Sequence, residues 1–95
     1  MKPLEIPPAA LADDQAVEIA RIWGAGGKQH VTLASGIWKD PGNWGIMLVD
    51  LATHIANAYE QNSLCTKRQC LDRIKDVFDS EWQEPTDDPT GEIVN

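Results

Sequence analysis

The segment from Trp38 to Tyr59, WKDPGNWGIMLVDLATHIANAY, constrains the fold more than any other part of the chain. Asp40 and Pro41 predict the start of a helix, because aspartate accepts hydrogen bonds from free backbone N–H groups and proline at the first position lacks the donor it would waste. Apolar residues then recur every three or four positions, which is the pattern of one helical stripe. The stripe consists of Trp44, Leu48, Leu51, Ile55 and Ala58 or Tyr59.

A second helix is predicted after a loop at residues 61–65. Thr66 and Gln69 form a T-x-x-Q capping box, in which each side chain satisfies a backbone N–H of the other residue. The apolar stripe of this helix is Leu71, Ile74, Val77, Phe78 and Trp82. From Gln83 onward the chain is rich in proline, aspartate and threonine, so residues 83–95 are predicted to be a disordered acidic tail.

Two strands are predicted before the first helix. QHVTL alternates apolar and polar residues, and Gly26-Gly27 is a typical hairpin turn. The partner segment, Ala16–Trp23, is compatible either with a strand or with a helix that Asp13 caps and Gly24 ends. We favour the strand, because the turn and the second strand need a partner.

These elements predict an α+β fold in which a β-hairpin packs against two antiparallel α-helices. We expect an extended arm at residues 1–12, a single small domain at 13–82 and the acidic tail at 83–95. A two-stranded sheet is a poor independent unit and its free edge invites pairing. We therefore predict that a homodimer completes the fold.

The net charge of −7 is concentrated at one end. Residues 1–75 carry equal numbers of acidic and basic side chains, whereas every charged residue after Lys75 is acidic. Such a surface does not suit nucleic acid, which needs clustered lysine and arginine. The tail is predicted to be solubilising, with docking on a basic protein partner as the alternative. No segment is apolar enough for a signal peptide or a membrane span, so we expect a cytoplasmic protein without membrane contact.

Cys65 and Cys70 lie five positions apart. This spacing matches neither a zinc knuckle nor a redox C-x-x-C motif. Positions five apart on one helix do not face each other, so a bond between these thiols would need a break in the helix. We expect reduced thiols that pack against a helix.

Few residues suggest chemistry, and we expect no metal and no cofactor. His54 follows Asp50 by four helical positions, so the carboxylate is placed to orient the imidazole, which is half of a general-base arrangement. No nucleophile motif completes it. Trp38 and Trp44 flank the helix start and either clamp it or line a pocket, for which His30 is a further candidate. Trp38, Trp44, His30, His54 and Asp50 are therefore the predicted ligand-binding residues.

The W-x-D-P-x-x-W-G pattern of Trp38–Gly45, with the hairpin before it, resembles a family of small bacterial proteins known as a domain of unknown function. The resemblance runs from Ala16 to Tyr59 and more weakly to Trp82. It implies a bacterial cytoplasmic protein with a compact α+β fold. It brings no catalytic residues.

The leading hypothesis is a non-catalytic protein-interaction or accessory module rather than an enzyme. The alternative is a small-molecule-binding protein or small enzyme with a pocket near Trp38, Trp44 and His54. A helix-turn-helix DNA-binding protein is a third hypothesis, and it requires a helical Ala16–Trp23 segment.

Overall fold

The computed structural model describes residues 2–95. Within them lie three helices and three strands: α1 (Pro8–Leu11), β1 (Ala20–Ala25), β2 (Lys28–Leu33), α2 (Gly42–Gln61), α3 (Lys67–Gln83) and β3 (Ile93–Val94). These elements confirm the predicted α+β class. They form two compact units. The sheet unit contains the described residues up to Ile37 together with Pro89–Asn95, and the helical unit is Trp38–Asp88. The predicted boundaries of arm, domain and tail stay predictions.

In the sheet unit, β1 and β2 form the predicted antiparallel hairpin. Ala20 pairs with Leu33 at one end and Ala25 with Lys28 at the other. Gly26 and Gly27 make the turn with φ of 61° and 73°. A two-residue turn with positive φ at both positions follows the twist of the strands, and glycine adopts it without strain. The helix-turn-helix hypothesis is wrong, because part of the segment that it needs as a helix is β1.

A third strand, which the sequence does not predict, comes from the acidic tail. Ile93 and Val94 pair in parallel with Val31 and Thr32 of β2. The chain reaches β2 through Gly91, where a Cβ would lie 1.3 Å from the carbonyl oxygen of Gln29. Only glycine permits this approach of two backbones.

In the helical unit, α2 begins at Gly42 with Pro41 as its N-cap, one residue later than the Asp-Pro pair predicts. The Asp40 carboxylate accepts a hydrogen bond of 2.9 Å from the Gly42 N–H. A Cβ on Gly42 would lie 3.1 Å from that same carboxylate oxygen, so a larger residue here would require a small shift of the Asp40 side chain. Gly45 has no atom within 4 Å of an added Cβ, so packing does not explain it.

A short connection joins α2 to α3, and hydrogen bonds between backbone groups hold it in place. Ser63 has φ of 59°, and the N–H groups of Ser63 and Leu64 donate to the carbonyls of Glu60 and Tyr59. This is the Schellman motif, in which glycine is the usual left-handed residue. The predicted capping box of Thr66 and Gln69 is present in both directions.

Packing between the two helices buries little. Ala56 of α2 is fully buried and Cys70 of α3 nearly so, and these are the buried hydrophobic residues of the described chain. Ala56 lies beside the predicted stripe of α2 rather than within it, and most of the stripe stays partly exposed. Among residues 2–95, no helix is both long enough and apolar enough to cross a membrane.

Candidate functional site

The structure brings together the two tryptophans at the start of α2. The ring centroids of Trp38 and Trp44 are 5.1 Å apart and the ring planes meet at 84°. This edge-to-face arrangement places the positive edge of one ring on the negative face of the other. Both rings are half-buried. The pair links Trp38, two positions before Asp40, to the first turn of α2, and its predicted ligand-binding role stays a prediction.

His54 and Asp50 both lie on exposed positions of α2. Although four residues separate them, neither a hydrogen bond nor an ion pair joins their side chains in the described structure. The carboxylate therefore does not orient the imidazole in this structure. A ligand-binding role for these two residues stays a prediction.

His30 belongs to the sheet unit, whereas the other four predicted site residues belong to the helical unit. Its Nδ1 accepts a hydrogen bond of 3.0 Å from the Glu92 N–H. Its Nε2 lies 3.2 Å from the carbonyl oxygen of Ala25. Because Nδ1 accepts a hydrogen bond and Nε2 faces a carbonyl oxygen, these two contacts correspond to the neutral tautomer with the proton on Nε2. Both ring nitrogens are thus engaged in holding the hairpin and the C-terminal segment.

A groove of about 290 Å³ lies between α2 and α3, and we call it the interhelical groove. Its walls are mainly apolar, with one guanidinium and one amide among them. The lining residues are Ile55, Tyr59, Cys65, Gln69, Cys70, Arg73 and Ile74. Sequence reasoning missed this groove, because the helical pattern does not show which residues of two helices meet.

The interhelical groove contains both cysteines of the chain as free thiols. Cys70 is buried and Cys65 is half-buried. Burial raises the pKa of the Cys70 thiol, and a hydrogen bond with the Cys65 thiol raises it further. No third donor accompanies them, since residues 2–95 contain no group of three or more His, Cys, Asp or Glu side chains able to hold a metal ion.

The apolar residues of α2 form a surface rather than a core. Leu48, Leu51, Ile55 and Tyr59, which we call the α2 stripe, are each 39–46% exposed. These residues lie on one face of the helix because they are spaced three or four positions apart along the chain. Four partly exposed large apolar side chains in one row are typical of an interaction site.

Two aromatic residues of α3 add to the exposed apolar surface of the helical unit. Phe78 and Trp82, the aromatic pair, stack with centroids 5.6 Å apart and ring planes 20° apart. Trp82 is 77% exposed. Large aromatic side chains are enriched among the residues that dominate binding energy at interfaces.

Half of the eight charged side chains of α3 form ion pairs within the helix. Arg68 lies 3.2 Å from Asp72, and Lys75 lies 2.5 Å from Asp79. Exposed pairs of this kind contribute little to stability.

Comparison with known proteins places the chain in a family. The family model described as "Domain of unknown function (DUF5076)" matches residues 3–86. No curated protein matches the chain. A solved structure described as a "putative pyruvate dehydrogenase" from the photosynthetic bacterium Rhodopseudomonas palustrus CGA009 is similar to it. The sequence identity is 32%, the TM-score is 0.75, and the match covers 100% of this chain and 97% of that one.

Proposed function

Because this chain belongs to the DUF5076 family, a domain family of unknown function, we propose its function from its surfaces. It is a non-catalytic protein-interaction or accessory module that acts as a homodimer in the bacterial cytoplasm. The observation that carries this proposal is the partly exposed α2 stripe. The stripe has the periodicity of a buried helix face, yet 39–46% of each side chain is exposed.

The occupant we propose for the α2 stripe is a second copy of the same stripe. An isologous contact places each residue in the interface twice, so one apolar helix face is enough to build it. The stripe has no charged member, and Tyr59 alone adds a polar atom. Two such faces meet without burying an unpaired charge, so the desolvation free energy that opposes self-association is small.

The exposed fraction of the stripe side chains gives an approximate free energy for dimer formation. Complete burial of a large apolar side chain contributes roughly 1.5–3 kcal/mol, so a side chain about 40% exposed has on the order of 1 kcal/mol left to gain. Four residues counted twice give roughly 8 kcal/mol, and association costs an estimated 4–15 kcal/mol. The stripe alone is therefore marginal. A stable dimer therefore needs a further apolar contribution, and the exposed aromatic pair of α3 is the one we propose.

The activity named for the similar Rhodopseudomonas protein has no support in the residues of this chain. The sequence contains neither a G-x-G-x-x-G dinucleotide motif nor a G-x-x-x-x-G-K-[ST] phosphate loop. The two residues best placed for general-base chemistry, Asp50 and His54, are not hydrogen-bonded to each other. An accessory role fits these residues better than catalysis.

Sedimentation velocity tests the proposal. We expect the wild-type protein to be a dimer at tens of micromolar. Leu51→Lys places a charge in the α2 stripe and is expected to yield a monomer that keeps its helical circular dichroism. His54→Lys places the same charge on an exposed position of the same helix and is expected to leave the dimer intact. A monomeric wild-type protein, or equal behaviour of the two variants, contradicts the proposal.

A second candidate function is the binding of a small apolar or flat molecule near Trp38, Trp44 and His54. The edge-to-face tryptophan pair favours it, since such rings offer both an aromatic face and an indole N–H. A native mass spectrum of the purified protein distinguishes the two candidates. A dimer without added mass favours the interaction module, whereas a reproducible added mass that Trp44→Ala removes favours ligand binding.

A further inference from the structure

The backbone separates Cys65 from the helix that contains Cys70. Thr66 is the N-cap of α3 and has extended dihedral angles, with φ of −71° and ψ of 157°. Cys65 therefore lies in the connection before the helix, and Cys70 is the fourth residue of α3. The restriction that applies to residues five apart on one helix does not apply here.

Local hydrogen bonds hold the backbone on both sides of this break. The Leu64 N–H donates to the Tyr59 carbonyl, and the Cys70 N–H donates to the Thr66 carbonyl, each at 3.0 Å. The Lys67 N–H donates to the Glu60 carboxylate at 2.7 Å, which connects the end of α2 to the start of α3. The two thiols thus lie on a short, well-held turn and both line the interhelical groove.

We propose that Cys65 and Cys70 form a reversible dithiol–disulfide site that exchanges with low-molecular-weight disulfides of the glutathione class. This inference does not rest on the proposed dimer, although Ile55 and Tyr59 belong both to the α2 stripe and to the interhelical groove. It rests on two thiols in one groove, on the helix break between them, and on their different exposure.

The difference in exposure sets the order of the exchange. Cys65 is half-buried and reachable, whereas Cys70 is buried. Burial and the hydrogen bond with Cys65 hold the pKa of the Cys70 thiol above its usual value, so this thiol forms less thiolate near neutral pH. Attack on an external disulfide therefore begins at Cys65, and Cys70 is the resolving thiol.

The reaction balances in two steps. The Cys65 thiolate attacks one sulfur of the external disulfide, which forms a mixed disulfide and releases one external thiolate that takes up a proton. Cys70 then loses its proton and attacks the Cys65 sulfur, which forms the internal disulfide and expels the second external thiolate, which is also protonated. The protein loses two electrons and two protons, and one external disulfide becomes two thiols.

Intact-protein mass spectrometry after incubation of the folded, full-length protein with glutathione disulfide tests this proposal. We expect the wild type to lose two hydrogen atoms without retaining glutathione, and dithiothreitol to restore the original mass. Cys70→Ser is expected to retain one glutathione at Cys65, because nothing resolves the mixed disulfide. Cys65→Ser is expected to react far more slowly, because the remaining thiol is buried.

Two further outcomes keep the test decisive. Circular dichroism checks the fold of Cys70→Ser, and if that variant is unfolded, Cys70→Ala replaces it. The wild-type result alone suffices to overturn the proposal if glutathione stays attached at Cys65 or if only bonds between chains form. The proposal also fails if the equilibrium constant for internal disulfide formation is no larger in buffer than in a denaturing concentration of urea, since the native turn then gives no advantage.

Discussion

Gly91→Ala is the substitution for which the structure predicts the sharpest effect. An added Cβ would lie 1.3 Å from the Gln29 carbonyl oxygen and 2.4 Å from the carbonyl carbon. Both atoms belong to the backbone of β2, so no side-chain movement relieves the collision. We expect β3 to leave the sheet.

The magnitude follows from the contacts that β3 and its neighbour lose. The Val31 N–H donates to the Glu92 carbonyl at 2.9 Å, and the Glu92 N–H donates to His30 at 3.0 Å. Each such bond contributes a net 0.5–1.5 kcal/mol or so, which gives roughly 1–3 kcal/mol for the two. Ile93 and Val94 are 66% and 46% exposed, so they add little apolar burial. The regained freedom of the released segment offsets part of the loss, and we expect a net destabilisation of about 1–2 kcal/mol.

Hydrogen exchange at the Val31 amide, combined with urea unfolding, is the assay for Gly91→Ala. Loss of β3 leaves this N–H at an open strand edge, so its protection is expected to fall while the β1–β2 amides stay protected. Gly45→Ala is the matched control, because no atom lies within 4 Å of its added Cβ. That helical substitution is expected to stabilise the protein by up to about 1 kcal/mol. Unchanged Val31 protection in Gly91→Ala would refute the reasoning.

Two further substitutions follow from local geometry. Ser63 has φ of 59° at the end of α2, so Ser63→Gly is expected to raise the free energy of unfolding by about 0.5–1 kcal/mol in urea unfolding, and a loss of stability would contradict the strain argument. A hydrogen bond from the Arg21 guanidinium lowers the pKa of the Glu18 carboxyl. The resulting stabilisation is present above the ordinary carboxyl pKa and is lost as the pH falls through the lowered value. The difference in urea midpoint between wild type and Glu18→Gln is therefore expected to vanish in acid, and a difference independent of pH would exclude this pair as its cause.

Local signals predict the hairpin and both long helices because each is set by neighbours in the sequence. Gly26-Gly27 specifies a two-residue turn, and Thr66 with Gln69 specifies a helix start, whatever the rest of the chain does. The third strand lacks such a signal. Its two residues, Ile93 and Val94, gain their pairing from the edge of β2, more than sixty positions away, and from the absence of a side chain at Gly91.

The candidate site shows the same limit at the level of side chains. Helical spacing predicts that Asp50 and His54 are able to touch, but it does not decide whether they do. The Nδ1 of His30 accepts a hydrogen bond from the Glu92 N–H, and no sequence pattern predicts this contact. For the two cysteines, the sequence predicts reduced thiols, and both are free in the structure. The capping box at Thr66 places the start of α3 between them, but only the folded helices show that both thiols line one groove.

In the α2 stripe, apolar periodicity and burial do not coincide, although they usually do in a helix of a folded protein. Periodicity reports which face of a helix is apolar, but it does not report what covers that face. In this chain, Ala56 is fully buried beside the stripe, whereas the large residues of the stripe stay 39–46% exposed. Small side chains such as Ala56 allow helices to approach closely but contribute little apolar area, so α2 and α3 gain limited stability from each other. Close to half of each large side chain of the α2 stripe thus stays exposed, and this is the apolar area that the proposed homodimer would cover.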